Sequence, residues 1–149
     1  MERIPILILN GPNLNLLGHR EPERYGNISM EEYLIFLKNE FQFFEIDYFQ
    51  SNNESEIVDK IQAAKKVYNA IVINPAAYTH SSIAIRDSLL ATQILTIEVH
   101  LTDISQRETF RHHSMISDLC WCTIKGFGLE SYKIALSRLQ EYFNMNVEI

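Results

Sequence analysis

Residues 4–9 read IPILIL, and residues 10–26 continue NGPNLNLLGHREPERYG. A strand of unbroken apolar side chains has no wet face, which is the pattern of a parallel strand covered by helices on both sides. The polar stretch that follows is longer than an ordinary strand-to-helix connection. It also falls where open parallel sheets bind ligands, beyond the carboxyl end of a strand.

The same alternation repeats downstream. Ser29 can cap a helix running to about Phe43, with Glu32 at the capping-box position. Leu34, Leu37, Lys38 and Phe41 share one face of it, Lys38 through its methylene stem. Phe44–Phe49 alternates as a strand nearer the sheet edge, and Asn53 or Ser55 opens a helix carrying Ile57, Ile61, Ala64, Val67 and Tyr68 at helical spacing. Ala70–Ile73 is a third strand, and Ser81 or Ser82 starts a helix to about Ala91. Ile94–Val99 and Leu119–Ile124 give the fourth and fifth strands, and a last helix spans about Leu129–Tyr142. Strands separated by helices predict a parallel sheet with right-handed crossovers. The expected fold is α/β, a flavodoxin-like three-layer sandwich on a five-stranded parallel sheet of order 2-1-3-4-5. With no linker, repeat or low-complexity stretch, residues 1–149 read as one domain.

A net charge of −6 over 149 residues disfavours nucleic acid and anionic membrane as partners, since both need a basic face. It leaves an anionic small substrate open, because a cleft can be locally basic. No apolar run is long enough for a membrane span, and the N-terminal apolar stretch is too short for a signal peptide. Cys120 and Cys122 stand two apart in a strand-like run, a poor spacing for a disulfide and too few ligands for zinc. Buried structural thiols in a reducing cytoplasm are the expectation.

The strand exits concentrate polar chemistry. Strand 1 leads into Asn10, Asn13, Arg20 and Tyr25; strand 2 ends in Gln50-Ser51-Asn52-Asn53. Strand 3 leads into Asn74, His80 and the two serines, and strand 4 ends in Glu98-Val99-His100-Leu101-Thr102-Asp103, followed by Arg107 and Arg111. Asn10, Asn13 and Asn74 could equally close their own backbone turns. Glu98 and His100 share a strand face, where a carboxylate can fix an imidazole's tautomer and tune it. Arg107 and Arg111, four apart, suit neighbours on a helical turn that grips an anion, or surface partners for Glu108. His112-His113 read as solvated helix-surface residues. The glycine spacings of phosphate and dinucleotide loops, a serine-hydrolase elbow and metal-ligand spacing are all missing, which disfavours flavin, dinucleotide, serine-hydrolase and metal chemistry. A binding or regulatory domain of the same fold, or a flavin electron carrier, stays open on the residues alone.

Five segments together carry a resemblance: LNGPNLNLLGHREPERYG (9–26), FQSNNESEIVDKI (49–61), INPAAYTHSSIAIRD (73–87), IEVHLTDISQRETFR (97–111) and IKGFGLESYKIAL (124–136). They span most of the chain, which resembles the type II 3-dehydroquinate dehydratases. That resemblance implies trans-dehydration of 3-dehydroquinate to 3-dehydroshikimate through an enolate, without metal or cofactor, in the shikimate pathway of aromatic amino acid biosynthesis. It further implies a homododecamer of four trimers. By motif position, Tyr25 matches the base, and Arg20, helped by Arg107, favours its tyrosinate. Asn13 matches the holder of the enolate-stabilising water, and His100 the general acid, supported by Glu98. Asn74 with the amides of Leu101 and Thr102 matches the carboxylate site. His80 and Arg111 match binders of the ring hydroxyls, and Asp87 would reach a neighbouring subunit's site.

A free tyrosine titrates near 10, so a tyrosinate base at neutral pH demands about 3–4 kcal/mol, within reach of two nearby cations. The segment from about Leu17 to Tyr25 would then have to close over substrate. Departures from the family pattern are modest: Thr102 for serine, Asp103 for asparagine, Ser105-Gln106 for a bulkier pair, and larger residues through Leu119–Cys122. Asp103 puts a negative charge next to an anion site, and so is expected to weaken substrate affinity.

Overall fold

A computed structural model of the chain describes residues 2–18 and 27–147. Five strands, β1 (Ile4–Asn10), β2 (Phe44–Gln50), β3 (Ala70–Asn74), β4 (Leu95–His100) and β5 (Cys122–Lys125), form one sheet in the order β2-β1-β3-β4-β5. Every neighbouring pair is parallel. Four helices accompany it: α1 (Met30–Glu40), α2 (Glu54–Ala64), α3 (Ile83–Thr92) and α4 (Glu130–Val147).

The unbroken apolar strands divide by pleat. Ile6 and Ile8 of β1, Val72 of β3 and Ile97 and Val99 of β4 join Leu34 and Leu37 of α1 and Leu136 of α4 in one buried cluster. Leu7, Leu9, Ile71 and Ile73 point the other way, against Ile57 and Ile61 of α2 and Ile85 of α3. Helices therefore cover both faces, and each fully buried Leu or Ile contributes about 1.5–3 kcal/mol. Ser29 caps α1 by accepting from the Glu32 amide, Asn53 caps α2, and Ser82 rather than Ser81 caps α3.

Several local expectations are corrected. Lys38 is exposed, because the inward stripe of α1 is Met30, Tyr33, Leu34 and Leu37, and the helix ends at Glu40. α2 stops at Ala64, so Val67 is left exposed while the chain turns back and the Tyr68 hydroxyl donates to Asp47. β5 begins at Cys122; Ser117–Leu119 is a single 3₁₀ turn, so Cys120 does not share a strand face with Cys122. Arg107 and Arg111 lie on no common helix, but at the ends of successive 3₁₀ turns, Ile104–Gln106 and Thr109–Arg111. Among the described residues, no helix is long and apolar enough to cross a membrane.

Candidate active site

The register brings three strand ends together. Asn10 of β1 lies opposite Gln50 of β2 and Asn74 of β3, and β4 ends close by at His100. Beyond them opens a cavity of about 150 Å³. Asn13 borders it from the β1 exit, and Asn74 and His80 from the β3 exit. His100, Leu101 and Thr102 border it from β4, with Arg107 and Arg111 from the two 3₁₀ turns.

The β1 exit is held by the backbone. Gly11 donates its N–H to the Asn74 carbonyl at 2.8 Å, and a Cβ on Gly11 would stand 2.4 Å from the Pro75 oxygen. Only glycine lets the two strand exits approach so closely. Asn13 sits in the left-handed region at φ 70°, where asparagine is tolerated. Its N–H donates to Asn52 Oδ1 at 3.0 Å, and Gln50 Nε2 donates to both Asn52 Oδ1 and the Gly11 carbonyl.

His100 Nε2 lies 2.5 Å from Glu98 Oε2. Glu98 is fully buried and also accepts from the hydroxyls of Ser114 (2.8 Å), Ser117 (2.7 Å) and Thr123 (3.3 Å). Burial alone would raise its carboxyl; the hydrogen bond and charge of His100, with Ser117 and Ser114, outweigh that and hold it below its ordinary value. A carboxylate kept ionised in the core fixes the orientation of the imidazole.

His80 Nδ1 lies 2.9 Å from the His113 carbonyl, which can only accept, so Nδ1 carries the proton. Burial, reinforced by His100 and Arg111, lowers His80 from its ordinary 6.5 despite the His113 bond. With Nδ1 engaged on the His113 carbonyl, Nε2 is the ring nitrogen left to His80, which borders the cavity. Arg111 Nε donates to Glu108 at 3.1 Å, and Arg107 lies 3.9 Å from the same carboxylate. The surface partner foreseen for the arginines exists, yet both still face the cavity.

Some expected residues lie elsewhere. Arg20 and Tyr25 fall outside the described residues. Asp87 is exposed on α3 and does not border the cavity. Asp103 does not border it either: its carboxylate accepts from the Ser105 amide and hydroxyl and lies 3.8 Å from Lys125. The sequence reading missed Ser114, Ser117 and Thr123 behind Glu98, for which spacing offered no signal. It also set aside His112 and His113, which are exposed but not helical: His112 Nε2 bonds the Arg107 carbonyl, and the His113 carbonyl holds His80. Among the described residues, no three metal-binding side chains come together.

The fold, with a buried carboxylate–imidazole pair beside a polar cleft at the sheet's carboxyl edge, is that of an α/β protein with a candidate active site there. The model of the family "Dehydroquinase class II" matches residues 4–140. A 3-dehydroquinate dehydratase of Enterobacter sp. (strain 638) is 50% identical over 137 residues, covering 91% of each chain. Another, from Caldicellulosiruptor bescii, is 52% identical over 140 residues, covering 91% of this chain and 96% of its own. The crystal structure of a type II dehydroquinase from Butyrivibrio crossotus superposes with a TM-score of 0.87 at 45% identity, covering 93% of this chain and 98% of the other. This chain therefore belongs to the class II dehydroquinase family, a family of hydro-lyases.

Proposed function

We propose that this chain dehydrates 3-dehydroquinate to 3-dehydroshikimate in the shikimate pathway, with Tyr25 as base and His100 as general acid. The observation that carries the reading is the Glu98–His100 pair facing a cavity whose other walls are Asn13, Asn74, His80 and two arginines. Tyr25, as tyrosinate favoured by Arg20 and Arg107, takes the proton from the carbon next to the ketone. The electron pair moves onto the carbonyl oxygen as an enolate, stabilised by a water held on Asn13. When the enolate collapses, the carbon–oxygen bond breaks and His100 donates a proton, so the hydroxyl leaves as water. Tyr25 then returns its proton to solvent and His100 is reprotonated. Only water is lost, so the chemistry asks for no oxidant or reductant.

Asn74 with the amides of Leu101 and Thr102 receives the substrate carboxylate, and His80 and Arg111 take the ring hydroxyls. The 149 residues act as one domain, assembled as a dodecamer of four trimers in which the exposed Asp87 reaches a neighbour's site. Free Cys120 and Cys122 suit a reducing cytoplasm.

The test is a spectrophotometric assay for the conjugated enone product. Wild type is expected to turn over 3-dehydroquinate, and Tyr25→Phe to lose turnover while keeping its fold and oligomer. Full activity in Tyr25→Phe would overturn the assigned base. Inactivation by borohydride with substrate would point to a Schiff-base route instead.

A further inference from the structure

Behind the cavity a run of hydrogen bonds joins four side chains that the proposed reaction does not use as reactants. It is anchored by the Ala76 backbone N–H, which donates to Asn74 Oδ1 at 3.1 Å. A backbone N–H can only donate, so this bond fixes which end of the Asn74 amide is oxygen. Asn74 Nδ2 then donates to the Tyr132 hydroxyl at 3.3 Å. Tyr132 accepts there, and its own proton goes to Asn10 Oδ1 at 2.6 Å. Asn10 Nδ2 in turn donates to the Tyr48 hydroxyl at 3.2 Å. Every donor and acceptor along the chain follows from its first bond. Tyr132 is fully buried on α4, Asn10 is fully buried and Asn74 nearly so, leaving water no role in choosing the direction.

Asn74 Nδ2 carries two hydrogens, and Tyr132 uses one. The other belongs to a residue that borders the cavity, so the wall there is a donor and not a carbonyl. We propose that Tyr132, locked by Asn10, is a positioning residue that, together with the Ala76 N–H, holds the Asn74 amide so that it presents N–H, making that subsite select an anionic carboxylate over a neutral amide. This deepens the proposed function and rests on its placing of the substrate carboxylate at Asn74. Burial raises the Tyr132 phenol well above its ordinary value, so the hydroxyl keeps the proton that this arrangement needs.

The experiment measures binding of quinate and of its carboxamide, neither of which has the ketone needed to react, by calorimetry on the full-length protein. Wild type should prefer quinate by about tenfold or more. In Tyr132→Phe the Asn74 amide keeps only its Ala76 bond, its N–H loses its anchor, and the preference should fall severalfold. A purely structural role would weaken both ligands alike and keep the ratio, which would overturn the proposal. Asn74→Ala separates the two readings. Loss of preference there but not in Tyr132→Phe overturns the role of Tyr132 alone. A preference retained in Asn74→Ala would leave the selection to the Leu101 and Thr102 amides and overturn this proposal, whereas loss of binding of both ligands would overturn the carboxylate subsite itself. Should Tyr132→Phe fail to fold, Asn10→Ala, which removes the acceptor that fixes the Tyr132 hydroxyl, carries the same expectation.

Discussion

Glu98 and His100 stand two residues apart on β4, with carboxylate and imidazole 2.5 Å from each other and three hydroxyls closing over the carboxylate's remaining lone pairs. Folding holds the Glu98 carboxyl below its ordinary 4.5: burial opposes this, and His100, Ser117 and Ser114 prevail. A carboxyl lowered by folding stabilises the native state above its unfolded value. That contribution drains as pH falls through the folded value. Between neutral pH and about pH 3, with the loss setting in below about 4.5, wild type should therefore lose stability that Glu98→Gln does not lose. Denaturant titrations at both pH values check this, and equal losses in the two proteins would contradict it. Turnover of Glu98→Gln should fall by about a hundredfold, since the acid loses its fixed anion.

Gly11→Ala should be far costlier than an ordinary surface change. The added methyl would meet the Pro75 carbonyl at 2.4 Å, a backbone atom that cannot step aside without parting the β1 and β3 exits. A loss of about 1–3 kcal/mol is expected, with a raised KM from the displaced Asn74. Thermal melts and steady-state kinetics decide it; a neutral substitution would show that the exits are free to separate.

Asn13 has a backbone task in the fold and, in the proposed mechanism, a chemical one in holding the enolate water; two substitutions split them. At φ 70° glycine is at ease and alanine strained, so Asn13→Gly should keep near wild-type stability while Asn13→Ala loses about 1 kcal/mol or more. Both should lose most turnover, because neither holds the enolate water. Activity surviving in Asn13→Gly would confine this residue to its turn.

Asp103→Asn tests whether the extra negative charge matters to the substrate. The Asp103 carboxylate is turned onto Ser105 and toward Lys125, which hold it below its ordinary value, and it does not border the cavity. KM should move by less than about twofold, since an exposed charge at such a remove is well screened. A large fall in KM would restore the expectation drawn from sequence alone.

The sheet was legible because its evidence is local. IPILIL and AIVI are wet on neither face, and that alone demands helices on both sides. Errors gathered where the chain leaves regular structure. The period that put Val67 and Arg107–Arg111 on helices cannot register a turn that stops after one bond. In the site, residues close in sequence were readable, as with Glu98 and His100. Tyr132 was not: at helical spacing it resembles any core aromatic, and its partner Asn10 is 122 positions away. Ser114 and Ser117 were hidden likewise, because they act on a carboxylate that only folding brings to them.

The hydroxyls that bind the Glu98 carboxylate come from Ser114 and Ser117, in the segment after β4, and from Thr123 of β5. The proposed base belongs to a separate stretch of chain, 19–26. In the proposed mechanism acid and base thus come from separate stretches of the chain, with Arg107, which follows β4 and borders the cavity, assigned to the base. A chimera carrying a relative's residues 19–26 would keep Glu98, His100 and Arg107, so a difference in pH optimum between such chimeras would trace to the grafted residues.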